Sequence, residues 1–184
     1  MFNSLGWYDQ RQFSLQQLPA SVRPWLLDTS SLTARLVAAS HGNFRVQVLR
    51  QSWRLPTQNE AQALGIPPRQ HALIREVLLL CHDTPWVYAR SVIPAASFTG
   101  RLRFLRRLQD SALGALLFKA PNLSRSRFDI AVIRKHNQPS ALHRVTNGAT
   151  VYGRRSLFHI YGKQLLVAEI FLPACELGQL PPSR

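Results

Sequence analysis

Ala72-Leu73-Ile74-Arg75-Glu76-Val77-Leu78-Leu79-Leu80-Cys81 is an apolar run with two charges inside it, and Trp86-Val87-Tyr88-Ala89-Arg90-Ser91-Val92-Ile93 repeats the pattern after His82-Asp83-Thr84-Pro85. Two β-rich runs flanking turn-forming residues predict a hairpin. Upstream, Phe44, Val46 and Val48 alternate with Arg45 and Gln47, the period of a half-buried strand reaching Trp53. Downstream, Phe128–Arg134, Tyr152–Tyr161 and Leu165–Leu172 read as strands; Gly162-Lys163 turns between the last two and Pro173 ends the last. Pro24–Asp28 suggests a helical turn, and Asp28-Thr29-Ser30-Ser31 offers N-cap chemistry for a helix from Leu32 to about Ser40. A loop from Pro56 to Pro68 holds one turn at Glu60–Leu64, and Arg101–Phe118 is helical in pattern with a break near Ser111. The expected class is α+β: one antiparallel sheet of about six strands with flanking helices, laid on one side. One domain is expected over 1–184, with 1–20 and 176–184 peripheral and the tail after Glu176 frayed.

The 184 residues are 46% hydrophobic, enough for a core, so wholesale disorder is excluded. No apolar run approaches the ~18–20 residues of a membrane-spanning helix, and the N-terminus lacks a secretory signal's basic stretch and apolar block. Two cysteines, Cys81 and Cys175, are too few for a disulfide framework or a four-thiolate zinc site. A cytosolic monomer is expected. The nine glycines form no dinucleotide or Walker motif, and no histidine cluster suggests a metal, so no cofactor is expected. The 23 Lys+Arg, 20 of them arginine, outnumber 9 Asp+Glu, giving a formal net charge of +14. Such an excess suits a polyanion, an anionic membrane face or a small substrate bearing carboxylates. Arginine's planar fork favours bidentate capture of carboxylate or phosphate.

Asp9, Asp28, Glu60, Asp83, Asp110 and Glu176 fall in loops, caps or the tail, where solvation is the default. Glu169 differs, because Leu165-Leu166-Val167-Ala168-Glu169-Ile170-Phe171-Leu172 is apolar on both faces. A lone ionised carboxylate there would cost several kcal/mol, so it must be paired, protonated or lining a cavity. A Glu169–arginine salt bridge inside the core is the bland version. Arg75 shares its face with Leu73, Val77 and Leu79, while Glu76 occupies the other; Arg90 falls with Trp86, Tyr88 and Val92. Two arginines and a glutamate turned inward suggest a closed pocket for a small, partly apolar anion.

Leu73-Ile74-Arg75-Glu76-Val77, Ala89-Arg90-Ser91-Val92-Ile93-Pro94, Leu113-Gly114 with Leu117-Phe118, Gly153-Arg154-Arg155-Ser156 and Glu169-Ile170-Phe171-Leu172-Pro173 come in an order that resembles the chorismate lyase family. Ser31-Leu32-Thr33 and Asn59-Glu60-Ala61 with Leu64-Gly65 fit the same pattern, so the resemblance runs from about Trp25 to Ala174. It implies an antiparallel sheet with a buried site and cofactor-free conversion of chorismate to 4-hydroxybenzoate and pyruvate, on the route to ubiquinone. By position, Arg75 resembles the clamp on the ring carboxylate, Glu169 the group facing the ring hydroxyl, and Arg90 the second active-site arginine. Leu32 and Leu113 match positions whose backbone amides touch the carboxylate. His136–Thr150 is longer and more polar than the family's usual connection, which fits a surface insertion.

Two other classes carry expectations of their own. Effector domains of some bacterial transcription regulators resemble this fold and sense small molecules without catalysis; they normally follow a winged helix, for which the roughly 30 residues before Leu32 are too short. Nucleic-acid binding through Arg101, Arg103, Arg106 and Arg107, or through Arg125, Arg127, Arg134 and Lys135, lacks any accompanying reading motif, so a solvated basic face is the expectation.

Overall fold

A computed structural model describes residues 5–138 and 140–176. Eight strands form one sheet: β1 (Tyr8–Asp9), β2 (Phe44–Arg54), β3 (Ala72–Cys81), β4 (Thr84–Pro94), β5 (Ser124–Arg125), β6 (Asp129–Ile133), β7 (Val151–Ile160) and β8 (Lys163–Phe171). The order is β1-β6-β7-β8-β4-β3-β2, every pairing is antiparallel, and β5 adds to β7 beside β6. The helices are α1 (Arg23–Leu26), α2 (Leu32–Ala39), α3 (Gln58–Leu64), α4 (Leu113–Leu117), α5 (Ser140–Thr146) and α6 (Pro173–Glu176), with a 3₁₀ helix over Gly100–Arg107. The fold is α+β. The expected helix over 101–118 is thus two short pieces of different kind, and the tail expected to fray lies outside the described residues.

Local chemistry fixes the boundaries. Ser31 caps α2 by accepting from the Ala34 amide, and Thr57 with Glu60 forms a capping box on α3, which ends at Gly65 in the left-handed region (φ 61°). Two tight turns reverse the chain: His82-Asp83 (φ 49° and 58°) between the paired Cys81 and Thr84, and Tyr161-Gly162 (φ 49° and 69°) between the paired Ile160 and Lys163. Positive φ at both central residues matches the right-handed strand twist. A β-bulge interrupts the first hairpin. Leu80 pairs with Pro85 but Leu79 pairs with Val87, leaving Trp86 as the extra residue, and beyond it Arg75 faces Ser91 and Glu76 faces Arg90.

Both faces of the sheet are covered, correcting the expectation of helices on one side. On the first face, Val77, Leu79, Val87 and Phe171 pack under Trp25, Leu26, Leu32 and Leu36, while Leu73, Ile93, Phe158 and Val167 pack under Leu102, Leu105, Leu113 and Leu117. On the second, Leu78, Tyr88 and Ile170 meet Leu5 and Leu142, and Val92 and Leu166 meet Leu64 of α3. Within residues 5–20, Leu5 and Leu18 are buried and β1 extends the sheet beside β6. The 136–150 segment is no plain loop, because it carries α5, whose Leu142 enters the core.

Candidate active site

The hollow that matters opens on the first face, between the two hydrophobic clusters. Its walls include Leu32 and Thr33 from the start of α2, Ala112, Leu113 and Gly114 from the start of α4, Arg75 of β3, Ser91 of β4, Phe158 of β7 and Glu169 of β8. It encloses about 510 Å³ of atom-free space, its open mouth included. Four expected residues, Leu32, Arg75, Leu113 and Glu169, line it.

Arg75 is 2% exposed and forms no ion pair among the described residues. Its NH2 group donates to the carbonyls of Gln109 (2.8 Å) and Ser111 (3.0 Å), in the bend between the 3₁₀ helix and α4. Its Nε is buried without a partner. Burial pushes the guanidinium below its usual pKa, with Asp110 pulling it partly back. A buried cation satisfied by two neutral carbonyls lacks a counterion.

Glu169 has the opposite surroundings. Its Oε2 accepts from Arg154 Nε (2.6 Å) and from Arg125 NH2 (3.4 Å), and no described residue donates to Oε1. Arg154, directly opposite on β7, is anchored by donating to the carbonyls of Trp25, Leu26 and Asp28. Arg125, from two-residue β5, donates to Ser156 Oγ (2.7 Å) and stacks on Phe128 and Phe158, its Cζ 4.3 and 4.8 Å from the ring centres. Burial pushes the Arg125 guanidinium down to about 10, with Glu169 opposing. The site thus combines the expected cavity with the bland salt bridge. In register terms Arg75 lies two strands and one two-residue step from Glu169. Strand spacings of ~4.8 Å and a step of ~6.8 Å put their Cα atoms roughly 12 Å apart. Side chains reaching in from that separation can grip opposite ends of one six-membered ring.

Arg90 does not belong to this pocket, a correction to the sequence expectation. It projects from the second face, where Nε and NH2 grip Glu60 (2.7 and 3.0 Å) and NH1 meets Glu76 (2.5 Å). The bulge at Trp86 is the cause, since it shifts the β3–β4 register by one residue and a one-residue slip reverses faces. Glu60, expected in solvent, is buried and joins α3 to the sheet through Arg90.

Sequence reasoning passed over Arg154 and Arg125. A usable signal existed for the first. With the β7–β8 turn at Gly162-Lys163, counting back sets Ser156 opposite Glu169; with the turn at Tyr161-Gly162, as observed, Arg154 falls there. Nothing in a two-residue strand announces Arg125. Among the described residues no three His, Cys, Asp or Glu side chains cluster as a metal site requires, and no helix is long and apolar enough to cross a membrane.

Comparison with known proteins gives a family and a fold. A family profile described as chorismate lyase matches residues 1–177. A probable chorismate pyruvate-lyase of Ralstonia nicotianae is 38% identical over 165 residues, spanning 86% of this chain and 84% of that protein. One from Methylococcus capsulatus is 40% identical over 151 residues (82% and 93%), and one from Pseudomonas aeruginosa 38% over 165 (89% and 90%). Among solved structures, a GntR-family transcriptional regulator from Bacillus cereus superposes with a TM-score of 0.55 at 13% identity, covering 77% of this chain and 99% of that one. PhnF from Mycobacterium smegmatis gives 0.56 at 13%, covering 80% and 66%. At such identities the likeness is one of fold.

Proposed function

This chain belongs to the chorismate lyase family of carbon–oxygen lyases, and on that premise we propose that it cleaves chorismate to 4-hydroxybenzoate and pyruvate in the pocket of Arg75 and Glu169, supplying ubiquinone synthesis in the cytoplasm. The observation that carries the assignment of the site is Arg75, a buried guanidinium with no ion-paired acid in the wall of the hollow. The balance of charge supports it. Arg125 and Arg154 share Glu169 while Arg75 has no ion pair, and chorismate brings two carboxylates.

Arg75 clamps the ring carboxylate, and the first amides of α2 and α4, at Leu32 and Leu113, complete its cradle. Amides in a helix's first turn have no acceptor within the helix, and Ala112 offers α4 no side-chain cap. Glu169 anchors the ring hydroxyl at C4. Its Oε2 is engaged by two guanidiniums, which leaves Oε1 to accept that hydroxyl. A carboxylate held this way orients substrate. The reaction balances without a co-reactant: the C3–O bond breaks, the C4 hydrogen passes to the enolpyruvyl methylene, and the ring becomes aromatic. No oxidant or reductant is consumed, in keeping with a cofactor-free lyase. The protein's share is to hold both carboxylates in the reactive pose.

The test is to add chorismate to purified protein without metal or nucleotide and to follow 4-hydroxybenzoate by its ultraviolet absorbance. Stoichiometric product and pyruvate are expected; folded protein that binds chorismate without turning it over would overturn the proposal in favour of a sensing role.

A further inference from the structure

The excess of arginine is not used up by the pocket, and part of it gathers along the free rim of β2. This outermost strand is bulged between Val48 and Arg50, and it leaves Leu49, Trp53 and the following Leu55 exposed at 42%, 45% and 49%. Arg50 and Arg54, also exposed, stand on the other side of the same rim, Arg50 opposite Glu76 in the register. The 3₁₀ helix Gly100–Arg107 lies beside this rim: Gln51 Nε2 donates to the Arg106 carbonyl (3.1 Å), the Trp53 ring meets Phe98 edge-on at 5.2 Å, and the Arg106 guanidinium sits 5.4 Å from the Phe98 centre. Residues three apart eclipse one another in a 3₁₀ helix, so Arg103 stands in line with Arg106. No Asp or Glu occurs over 44–55 or 98–109. Among the described residues Arg50, Arg54, Arg103 and Arg106 form no ion pair.

We infer that this rim is a docking surface for an anionic phospholipid membrane, with Leu49, Trp53 and Leu55 entering the interface and the four arginines on headgroup phosphates. Exposed cations without ion-pair partners, Glu76 opposite Arg50 being taken by Arg90, call for a negative partner, and exposed aliphatic and indole side chains beside them are the composition of an interfacial contact. A β-strand partner fits less well, because a bulge and edge arginines are devices that discourage strand addition. Nucleic acid has little use for Leu49 and Leu55, and the Trp53 ring already packs on Phe98. The inference does not depend on the chemistry of the pocket.

The experiment is sedimentation of the full chain with vesicles of phosphatidylglycerol and phosphatidylcholine in equal parts, or of phosphatidylcholine alone, at 0.05 and 0.5 M salt, with a random DNA duplex as a parallel ligand. Trp53 is the exposed tryptophan, Trp25 and Trp86 being buried and Trp7 half-buried, so acrylamide quenching reads its insertion. Expected are binding to the anionic vesicles only, weakening with salt, and shielding of Trp53. Arg103→Gln with Arg106→Gln should lower partitioning roughly 25-fold, at about fivefold per arginine, with an unchanged circular dichroism spectrum and urea midpoint as evidence of folding. Leu49→Ser with Leu55→Ser should weaken vesicle binding and leave DNA binding as it was. Equal binding to both vesicle types, no binding at low salt, insensitivity to the variants, or tighter retention on DNA with Trp53 still quenched would each overturn the inference.

Discussion

On the pocket face, Arg125 and Arg154 share one carboxylate, Glu169, and Arg75 has no ion pair among the described residues; on the far face, Arg90 and Arg155 meet three, Glu60, Glu76 and Asp129. Residue types, strands and burial are similar. The arithmetic of charge differs. The far face closes on itself: Arg90 is forked onto Glu60 and bonded to Glu76, and Arg155 bonds Asp129 and Asn59. Such a set fastens α3 and β6 to the sheet and has no cation left to offer. On the pocket face Arg75 is hydrogen-bonded to two carbonyls and has no ion-paired acid. Buried arginines on one sheet therefore divide into fasteners and receptors by whether their acids are already present.

Breaking the two faces in turn should have opposite signatures. Arg75→Met should reduce kcat/KM roughly 1,000-fold, the scale of losing one partner of a desolvated charge pair, and should abolish 4-hydroxybenzoate binding in calorimetry while the urea midpoint holds or rises. Arg90→Met should do the reverse. It strands Glu60 and Glu76 in the interior, costing about 3–5 kcal/mol of stability, whereas kcat/KM per folded molecule should stay within about threefold of the parent. If Arg90→Met instead lost activity with stability intact, the division into faces would fail. Glu169→Gln sharpens the contrast within the pocket: loss of a charge-assisted hydrogen bond should lower kcat/KM roughly 10- to 30-fold and weaken product binding. A fall of several orders with a changed pH profile would make Glu169 a proton donor. The smallest effect belongs to the sheet's outer edge. A hydrogen bond from the Arg11 side chain holds the Asp9 carboxyl at about 2, below its ordinary 3.8. What this contact adds to the β1 edge should be complete above the ordinary value and lost as pH falls through about 2. A carbon-detected titration of Asp9 reads it directly, and Arg11→Gln should return it toward 3.8.

Much of the architecture was legible because it is local. Ala72–Cys81 matches β3 to the residue, and the Ser31 cap starts α2 where the Asp28–Ser31 cluster pointed. Glu169 stood out because no other acid sits in so apolar a run. What escaped was register, which depends on a single residue. The His82-Asp83 turn alone would set Arg75 opposite Arg90; the extra Trp86, drawn into an edge-on contact with Trp25 at 6.3 Å, shifts the pairing and sends Arg90 through the sheet. Because both faces are apolar, the company Arg90 keeps gave no warning. Glu60 was misjudged for a related reason: its cap chemistry was visible, but its burial depends on an arginine 30 residues away.

Gly114 carries one more consequence. A methyl group on its Cα would come within 3.1 Å of Thr33 Oγ1, which belongs to the neighbouring helix. Thr33 and Gly114 both border the hollow, so the roof over the ring is only as snug as this hydrogen-sized clearance permits. An alanine there would act as a shim, pressing the two lintels apart by a few tenths of an ångström and leaving the floor beneath untouched.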